Sequence, residues 1–263
     1  MYVGAALAVG LFDRLSPSAV AVLRLLGAAA VLLAWRRPGR SAWRGPVLVG
    51  AVAFGLATGL MNLAFYEAIA RLPLGTAVAI EFCGPVVVAA VASRRPRDVA
   101  AVVLAAVGVL LIADVRWSGS PSGVLWALAA ATMWAAYILL ARRVAVTGAG
   151  LDGMAVGFTV AAVLLSPVLL LSPLTPLADS DVVLLAVGVG VLSSVIPYVL
   201  DQIVLRRVGQ ARFAVMLALL PATATVIGFV ALRQVPGALE AAGIAAVVVA
   251  VALRSRDGDA HPA

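Results

Sequence analysis

Apolar and polar positions alternate along this chain in long blocks rather than residue by residue. Apolar segments lie near residues 1–12, 17–35, 46–70, 74–92, 99–113, 123–141, 152–172, 182–205, 211–232 and 237–253. Most of them have the length that an α-helix needs to cross a bilayer, about 17–25 residues. The pattern therefore predicts an all-α integral membrane protein with ten transmembrane helices.

The first apolar segment is shorter than a membrane span. Residues 1–12 would rise only about 18 Å as an α-helix, whereas the hydrocarbon layer is about 30 Å thick. We therefore expect the first transmembrane helix to be truncated, with the start of its span lying upstream of Met1.

Composition supports the membrane prediction and argues against several other classes. The chain is 64% hydrophobic and only 12% charged, with a mean hydropathy of +1.13, which is too apolar for a soluble domain. It has a single His, His261, in the polar tail, and it lacks zinc-ligand spacing and a phosphate-binding Gly loop with Lys. These absences argue against an enzyme and an ATP-driven pump. We expect no cofactor, no metal and no nucleic-acid partner.

The arginines are unevenly distributed among the connections between the apolar segments. Alternate connections and the tail carry most of them: Arg36, Arg37, Arg40, Arg44, Arg94, Arg95, Arg97, Arg142, Arg143, Arg206, Arg207, Arg254 and Arg256. Cytoplasmic loops of membrane proteins carry an excess of basic residues. We therefore predict that these connections and both termini are cytoplasmic, and that the net charge of +7 reflects topology rather than nucleic-acid binding.

One ionisable residue lies deep in the fourth apolar segment. Glu81 follows Pro73 by eight residues, or about 12 Å of helix, which places it near the middle of the bilayer. An ionisable group at this depth usually faces a cavity or a partner. Pro85 has no N–H to donate to the carbonyl of Glu81, so the helix should kink beside a bare acceptor. We predict a binding position here; a protonated structural carboxyl is the alternative.

Two further charged residues lie inside predicted spans. Arg24 is eight residues into the second segment, so it needs a partner, either an inward carboxylate or a substrate carboxylate. Asp201 follows Pro197, a second predicted kink, by four residues and should share its helix face. Because Arg206 is close along the chain, Asp201 could equally be an interfacial acid.

Side chains that carry a polar group on otherwise apolar helices are the remaining candidates for the site. These residues are Asn62, Tyr66, Trp134, Tyr137 and Tyr198. Trp and Tyr are also common anchors at the membrane interface, so an interfacial role is the alternative for the aromatic members of this set.

A weak internal repeat relates the two halves of the chain. A shift of 136 residues aligns the Arg-bearing turn at 71–75 with that at 207–211, and Pro85 with Pro221, a third predicted kink. Five predicted crossings separate the copies, so the halves would run in opposite directions through the membrane. Inverted repeats of this kind are typical of secondary transporters, whose sites lie near the midplane.

Four stretches of the sequence resemble a known family. They are Gly59-Leu-Met-Asn-Leu-Ala-Phe-Tyr66, Leu72-Pro-Leu-Gly-Thr-Ala-Val-Ala-Ile-Glu-Phe-Cys-Gly-Pro85, Ser93-Arg-Arg-Pro96 and Leu192-Ser-Ser-Val-Ile-Pro-Tyr198. The chain from residue 2 to residue 253 is similar to the EamA branch of the drug/metabolite transporters, and within it to threonine/homoserine exporters of the RhtA type. The resemblance implies two inverted five-helix EamA repeats, which we place at 1–115 and 121–254, followed by a polar cytoplasmic tail at 255–263.

The resemblance also implies an activity. Members export small amino acids or related metabolites across the plasma (inner) membrane, driven by proton exchange, so the expected partners are a small-molecule substrate, protons and the lipid bilayer. We leave a homodimer open. Where the exporters usually carry Glu-Pro and Gly-Glu, this chain has Leu220-Pro221 and Arg233-Gln234. An exporter of nucleobases or drugs, and a non-transporting membrane scaffold, therefore remain as alternatives.

Glu81 and Arg24 suggest a mechanism for such export. Burial disfavours the charged form of a carboxyl group, so Glu81 should hold a proton while no cation is near. The ammonium group of an entering amino acid would favour the charged form and expel the proton, which gives antiport a physical basis. In this hypothesis Arg24 binds the carboxylate of the substrate.

Overall fold

The computed structural model describes residues 2–92, 96–117, 120–146, 150–173, 179–197, 200 and 220–255. The α-helices in these ranges are α1 Tyr2–Val9, α2 Pro17–Arg36, α3 Gly45–Ile69, α4 Leu74–Glu81, α5 Cys83–Ala92, α6 Pro96–Trp117, α7 Pro121–Val146, α8 Gly150–Leu165, α9 Ser180–Gly190, α10 Leu220–Leu232 and α11 Ala238–Ser255. Short 3₁₀ segments lie at Arg40–Trp43 and Ser166–Leu171, and a π-helical turn at Val191–Val195 continues α9. The described ranges contain no β-strand, in agreement with the all-α prediction.

Several of these helices suit a bilayer by length and composition. In the described part of the chain, the helices long and apolar enough to span a membrane are Pro17–Arg36, Gly45–Ile69, Pro121–Leu140 and Leu151–Leu171. Shorter apolar helices occupy Leu74–Val88, Val99–Ile112, Ser180–Val195, Leu220–Leu232 and Ala238–Leu253. Large apolar side chains point outward from the packed helices, for example Val91 at 82% and Leu171 at 84% exposure. Such an exterior is suited to lipid rather than to water.

The helices pack into two compact units, and each unit draws on both halves of the sequence. Unit 1 contains Val3–Glu67 and Ala136–Pro197, and unit 2 contains Ala68–Ala135 and Tyr198–Ala263 together with Tyr2. This is a grouping in space, whereas the repeats at 1–115 and 121–254 are a grouping along the chain. The inverted repeat therefore remains a prediction.

Unit 1 is built around α2, which packs against α8 and α9. Helices α3 and α8 touch backbone to backbone, since a Cβ on Gly55 would lie 2.0 Å from the carbonyl oxygen of Gly157. Small residues allow this close approach of apolar helices. Ion pairs join the helix ends.

Those ion pairs agree with the predicted topology of unit 1. Arg36 Nε lies 2.9 Å from Asp152 Oδ1, and Arg14 Nη1 lies 3.4 Å from Asp179 Oδ2. Each pair joins two connections that the arginine distribution assigns to the same side of the membrane. The contacts do not indicate which side is cytoplasmic, so the orientation stays a prediction.

In unit 2, α6 packs along α11, and α4 packs against α10. The fourth predicted span is divided, because α4 ends at Glu81 and α5 begins at Cys83. Pro85 lies in the first turn of α5, where its missing N–H is tolerated. Pro221 lies in the first described turn of α10.

Candidate functional site

Arg24 is buried in the middle of α2, at 5% exposure. Its Nε donates to Ser194 Oγ at 3.1 Å, and its Nη2 donates to the carbonyl oxygen of Ser193 at 3.2 Å. A guanidinium has five N–H groups, so three are left after these two bonds. Among the residues that the structure describes, no carboxylate lies within ion-pair distance of Arg24. The guanidinium is thus held in place by neutral acceptors.

The acceptors for Arg24 come from an irregular turn. Ser193 and Ser194 belong to the π-helical turn Val191–Val195, and π-turns are frequent at functional sites. Pro197 has no N–H to donate to the carbonyl of Ser193, four residues before it, and Arg24 donates to that carbonyl instead. The proline predicted as a kink therefore frees an acceptor that positions Arg24.

Tyr66 of α3 lies beside the guanidinium. Arg24 Cζ is 5.3 Å from the centroid of the Tyr66 ring, within the range of a cation–π interaction. The ring is fully buried and meets Phe12 edge-on, with centroids 6.1 Å apart. Within the described ranges its hydroxyl has no hydrogen-bond partner, which costs about 1–3 kcal/mol unless a ligand or water fills the place. We call Arg24, Tyr66, Ser193 and Ser194 the Arg24 cradle.

Asn62 lies one helical turn before Tyr66, so the two side chains share a face of α3. Its Nδ2 donates to the carbonyl oxygen of Thr58 at 2.8 Å. Asn62 thus lies beside Tyr66 with its amide nitrogen bonded within α3.

A glycine sets the distance between the two helices that form the cradle. A Cβ on Gly190 of α9 would lie 2.4 Å from the carbonyl oxygen of Arg24 on α2. Only glycine allows this approach, which brings the π-helical turn within reach of the guanidinium. Packing at Gly190 therefore positions the hydrogen bonds of Arg24.

Glu81 lies in unit 2 as the last residue of α4 and is 3% exposed. The next residue, Phe82, packs edge-on against Trp134 of α7, with ring centroids 4.6 Å apart. The Tyr2 phenol lies within electrostatic range of the Glu81 carboxylate. In the described helices the Tyr2 hydroxyl is buried without a hydrogen-bond partner. Glu81 is thus a buried acid whose chain neighbour, Phe82, packs against Trp134.

The remaining predicted site residues are Tyr137, Asp201 and Tyr198. Tyr137 packs against Phe54 in unit 1, with ring centroids 4.9 Å apart. Asp201 and Tyr198 lie outside the described residues. The structure therefore brings together Arg24 and Tyr66 in one unit, and in the other it places Trp134 against Phe82, the residue after Glu81.

The structure also identifies a polar cluster in unit 2 that the sequence interpretation missed. Glu240 is fully buried and accepts a hydrogen bond from Thr76 Oγ1 of α4. Gln234 Oε1 accepts from the Leu74 N–H at 2.9 Å, at the start of the same helix. Glu240 is the sole acid in the apolar segment 237–253, and a lone acid in such a segment is a signal of a buried polar contact. Its place in the first turn of α11, where acids commonly cap helices, obscured that signal.

A small recess lies next to this cluster. Its volume is ≈10 Å³, about the room that one water molecule needs. It is lined by Pro73, Gly75, Thr76, Thr225, Gly228, Gln234, Pro236 and Ile244. The cluster therefore connects the start of α4, the helix that carries Glu81, to the loop before α11.

Apolar helices that suit a bilayer and enclose buried ionisable side chains define a multi-pass membrane protein of the transporter class. The model of the EamA-like transporter family matches residues 121–256. Two relatives named threonine/homoserine exporter RhtA, from Salmonella typhimurium (strain SL1344) and Escherichia coli (strain K12), are each 33% identical over 250 residues, which cover 94% of this chain and 84% of the relative. The chain belongs to the EamA-like transporter family.

A solved structure has a similar fold. A crystal structure of a protein covers 98% of this chain and 94% of its own, with a TM-score of 0.60 and 23% identity. The identity to the named exporters confirms the family resemblance predicted from the motifs.

Proposed function

We propose that this protein is a secondary-active exporter that carries small amino acids of the threonine and homoserine kind, or related metabolites, across the plasma membrane. Its relatives bear the name threonine/homoserine exporter. In the chain itself, one observation carries the proposal: the buried Arg24 guanidinium has N–H groups left over and no described carboxylate beside it.

The carboxylate of an amino acid suits these N–H groups. Arginine presents its donors in a planar fork that matches a carboxylate, and charge-assisted hydrogen bonds are the strong ones. A buried charge without a counter-charge is costly, so an incoming carboxylate would both bind and neutralise Arg24. A nucleobase has no carboxylate, and the cradle therefore favours amino acids over that alternative cargo.

Glu81 is our candidate for the proton-coupling residue. It is buried at the end of a helix that stops in the middle of its span, and broken helices often carry the ion sites of transporters. A carboxyl group can exist in a neutral and a charged form, and an approaching cation favours the charged form. An arriving substrate ammonium would release the proton, so that export is coupled to proton entry.

The architecture that we propose around these groups is an inverted pair of five-helix repeats, at 1–115 and 121–254, with both termini cytoplasmic. The ion pairs Arg36–Asp152 and Arg14–Asp179 are consistent with the alternation of sides in this topology, because each joins connections assigned to one side; they do not assign the cytoplasmic side. Alternating access in such folds moves one set of helices against another.

Counterflow in proteoliposomes tests the proposal. Purified protein is reconstituted, the vesicles are loaded with unlabelled compound, and uptake of the labelled compound is followed for a panel of amino acids and nucleobases. We expect accumulation with threonine and homoserine and none with nucleobases. Counterflow with nucleobases alone would replace the proposed cargo, and the absence of all flux would favour a non-transporting scaffold.

A further inference from the structure

The cradle contains one polar group that binding of a carboxylate does not explain. The hydroxyl of Tyr66 is buried without a partner among the described residues, although a Phe at this position would provide the same ring for the Arg24 guanidinium. The adjacent Phe12 and Phe65 present only apolar edges to the ring. The hydroxyl is therefore not needed for packing.

The position of this hydroxyl relative to Arg24 limits what it can bind. The guanidinium carbon lies 5.3 Å from the centre of the ring whose edge carries the hydroxyl. A ligand held by the free N–H groups of Arg24 therefore has its next few atoms within reach of the Tyr66 oxygen. The polar side chain of Asn62 lies one turn away on the same helix face. The side chain of a small amino acid is long enough to reach from a carboxylate bound at Arg24 toward the Tyr66 hydroxyl.

We propose that the Tyr66 hydroxyl hydrogen-bonds a side-chain hydroxyl of the substrate and so selects hydroxy amino acids over their deoxy analogues. The inference rests on the proposed function and names the substrate class of the same site. A buried donor or acceptor that an analogue leaves unpaired disfavours that analogue, and sites built to bind a hydroxyl reject ligands that lack it. Carboxylate recognition by Arg24 then sets affinity for amino acids in general, and Tyr66 sets the preference among them.

Tyr66→Phe removes only this hydroxyl and keeps the ring over Arg24. The probes are threonine, homoserine and 2-aminobutyrate, because 2-aminobutyrate is the deoxy analogue of both hydroxy amino acids. We expect the concentration of threonine or homoserine for half-maximal counterflow to rise about tenfold in Tyr66→Phe, a change that corresponds to about 1.4 kcal/mol. The half-maximal concentration of 2-aminobutyrate should stay within about twofold of wild type, a smaller change than the loss of a hydrogen bond produces.

Tyr2→Phe is the matched control, since Tyr2 carries the other buried hydroxyl without a partner in the described residues. Tyr2→Phe should leave unchanged the ratio between the half-maximal counterflow concentrations of threonine and 2-aminobutyrate. An equal change for all three compounds in Tyr66→Phe, or no change, would overturn the selection by Tyr66.

Ligand-dependent thermal stabilisation of the purified protein separates this inference from the proposed function. Binding to the folded state raises the melting temperature whether or not the protein transports. If threonine stabilises wild type more than Tyr66→Phe but no flux occurs, recognition by Tyr66 stands and the exporter proposal fails. If flux occurs but both proteins prefer threonine equally, the exporter proposal stands and the role of Tyr66 fails.

Discussion

Arg24 and Glu81 are both buried, but their surroundings differ. Neutral oxygens of Ser193 and Ser194 hold Arg24, and the face of Tyr66 covers it. Glu81 lies at a helix end beside the Phe82–Trp134 aromatic pair. Neutral acceptors fix the orientation of a guanidinium without cancelling its charge, so the charge remains available to an anionic ligand.

Glu81→Gln should uncouple transport from protons. The amide keeps the size and the hydrogen-bonding capacity of the acid but cannot take up or release a proton, so packing should survive. We expect export against a concentration gradient, driven by a pH gradient, to fall at least tenfold, while threonine-for-threonine exchange persists.

Glu240→Gln is the matched control for that experiment, because Glu240 is another buried carboxyl in the same unit. It should retain the coupling that Glu81→Gln loses. Wild-type uphill export by folded Glu81→Gln protein would remove the coupling role from Glu81.

At the scale of the helices, the sequence predicts lengths and breaks better than contacts. The apolar segments predict the helices, and the structure divides the fourth span at Phe82, three residues before Pro85. The π-helical turn at Val191–Val195 was not predicted, and its contact with Arg24 joins residues that are 169 positions apart. The same limit explains Glu240: its bond to Thr76 joins residues that are 164 positions apart.

Gly190→Ala tests whether helix packing positions Arg24. The new methyl group would lie 2.4 Å from the carbonyl oxygen of Arg24, so α9 must move away from α2. We expect a loss of about 1–3 kcal/mol in stability, the usual cost of overpacking, and weaker threonine binding. Thermal unfolding and counterflow measure the two effects.

Gly188→Ala lies on the same helix and is the control, since a Cβ there would meet nothing within 4 Å. It should leave stability and transport close to wild type. Equal effects of the two substitutions would show that helix propensity, rather than the contact with Arg24, governs α9.

At the scale of the whole molecule, the family assignment and the helices agree on a multi-pass membrane protein. The motif at Leu72–Pro85 predicted the family, and the comparison with the exporters confirmed it. Orientation and the inverted repeat could be predicted from arginine counts and spacing alone, and no contact within a unit tests them. The residues that line the site were harder to predict, because an apolar helix presents several faces and the sequence does not say which one meets a partner.

Cysteine accessibility measures the orientation directly. With Cys83 replaced by Ala, single cysteines at Ser41 and Ser255 should react with a membrane-impermeant thiol reagent only from the cytoplasmic side, and one at Ser180 only from outside. The expectation follows from the basic residues near the first two positions. Labelling of all three from one side would contradict the ten-helix topology.

The most direct measurement of the central proposal compares threonine with threoninol, in which a neutral alcohol replaces the carboxylate. In wild-type proteoliposomes, we expect threonine to compete for counterflow at least tenfold better than threoninol, as a charge-assisted pair with Arg24 requires. In Arg24→Gln the two compounds should compete about equally, whereas Arg14→Gln, which alters an exposed ion pair, should keep the wild-type preference. A preference for threonine that persists unchanged in folded Arg24→Gln protein would contradict the assignment of the substrate carboxylate to Arg24.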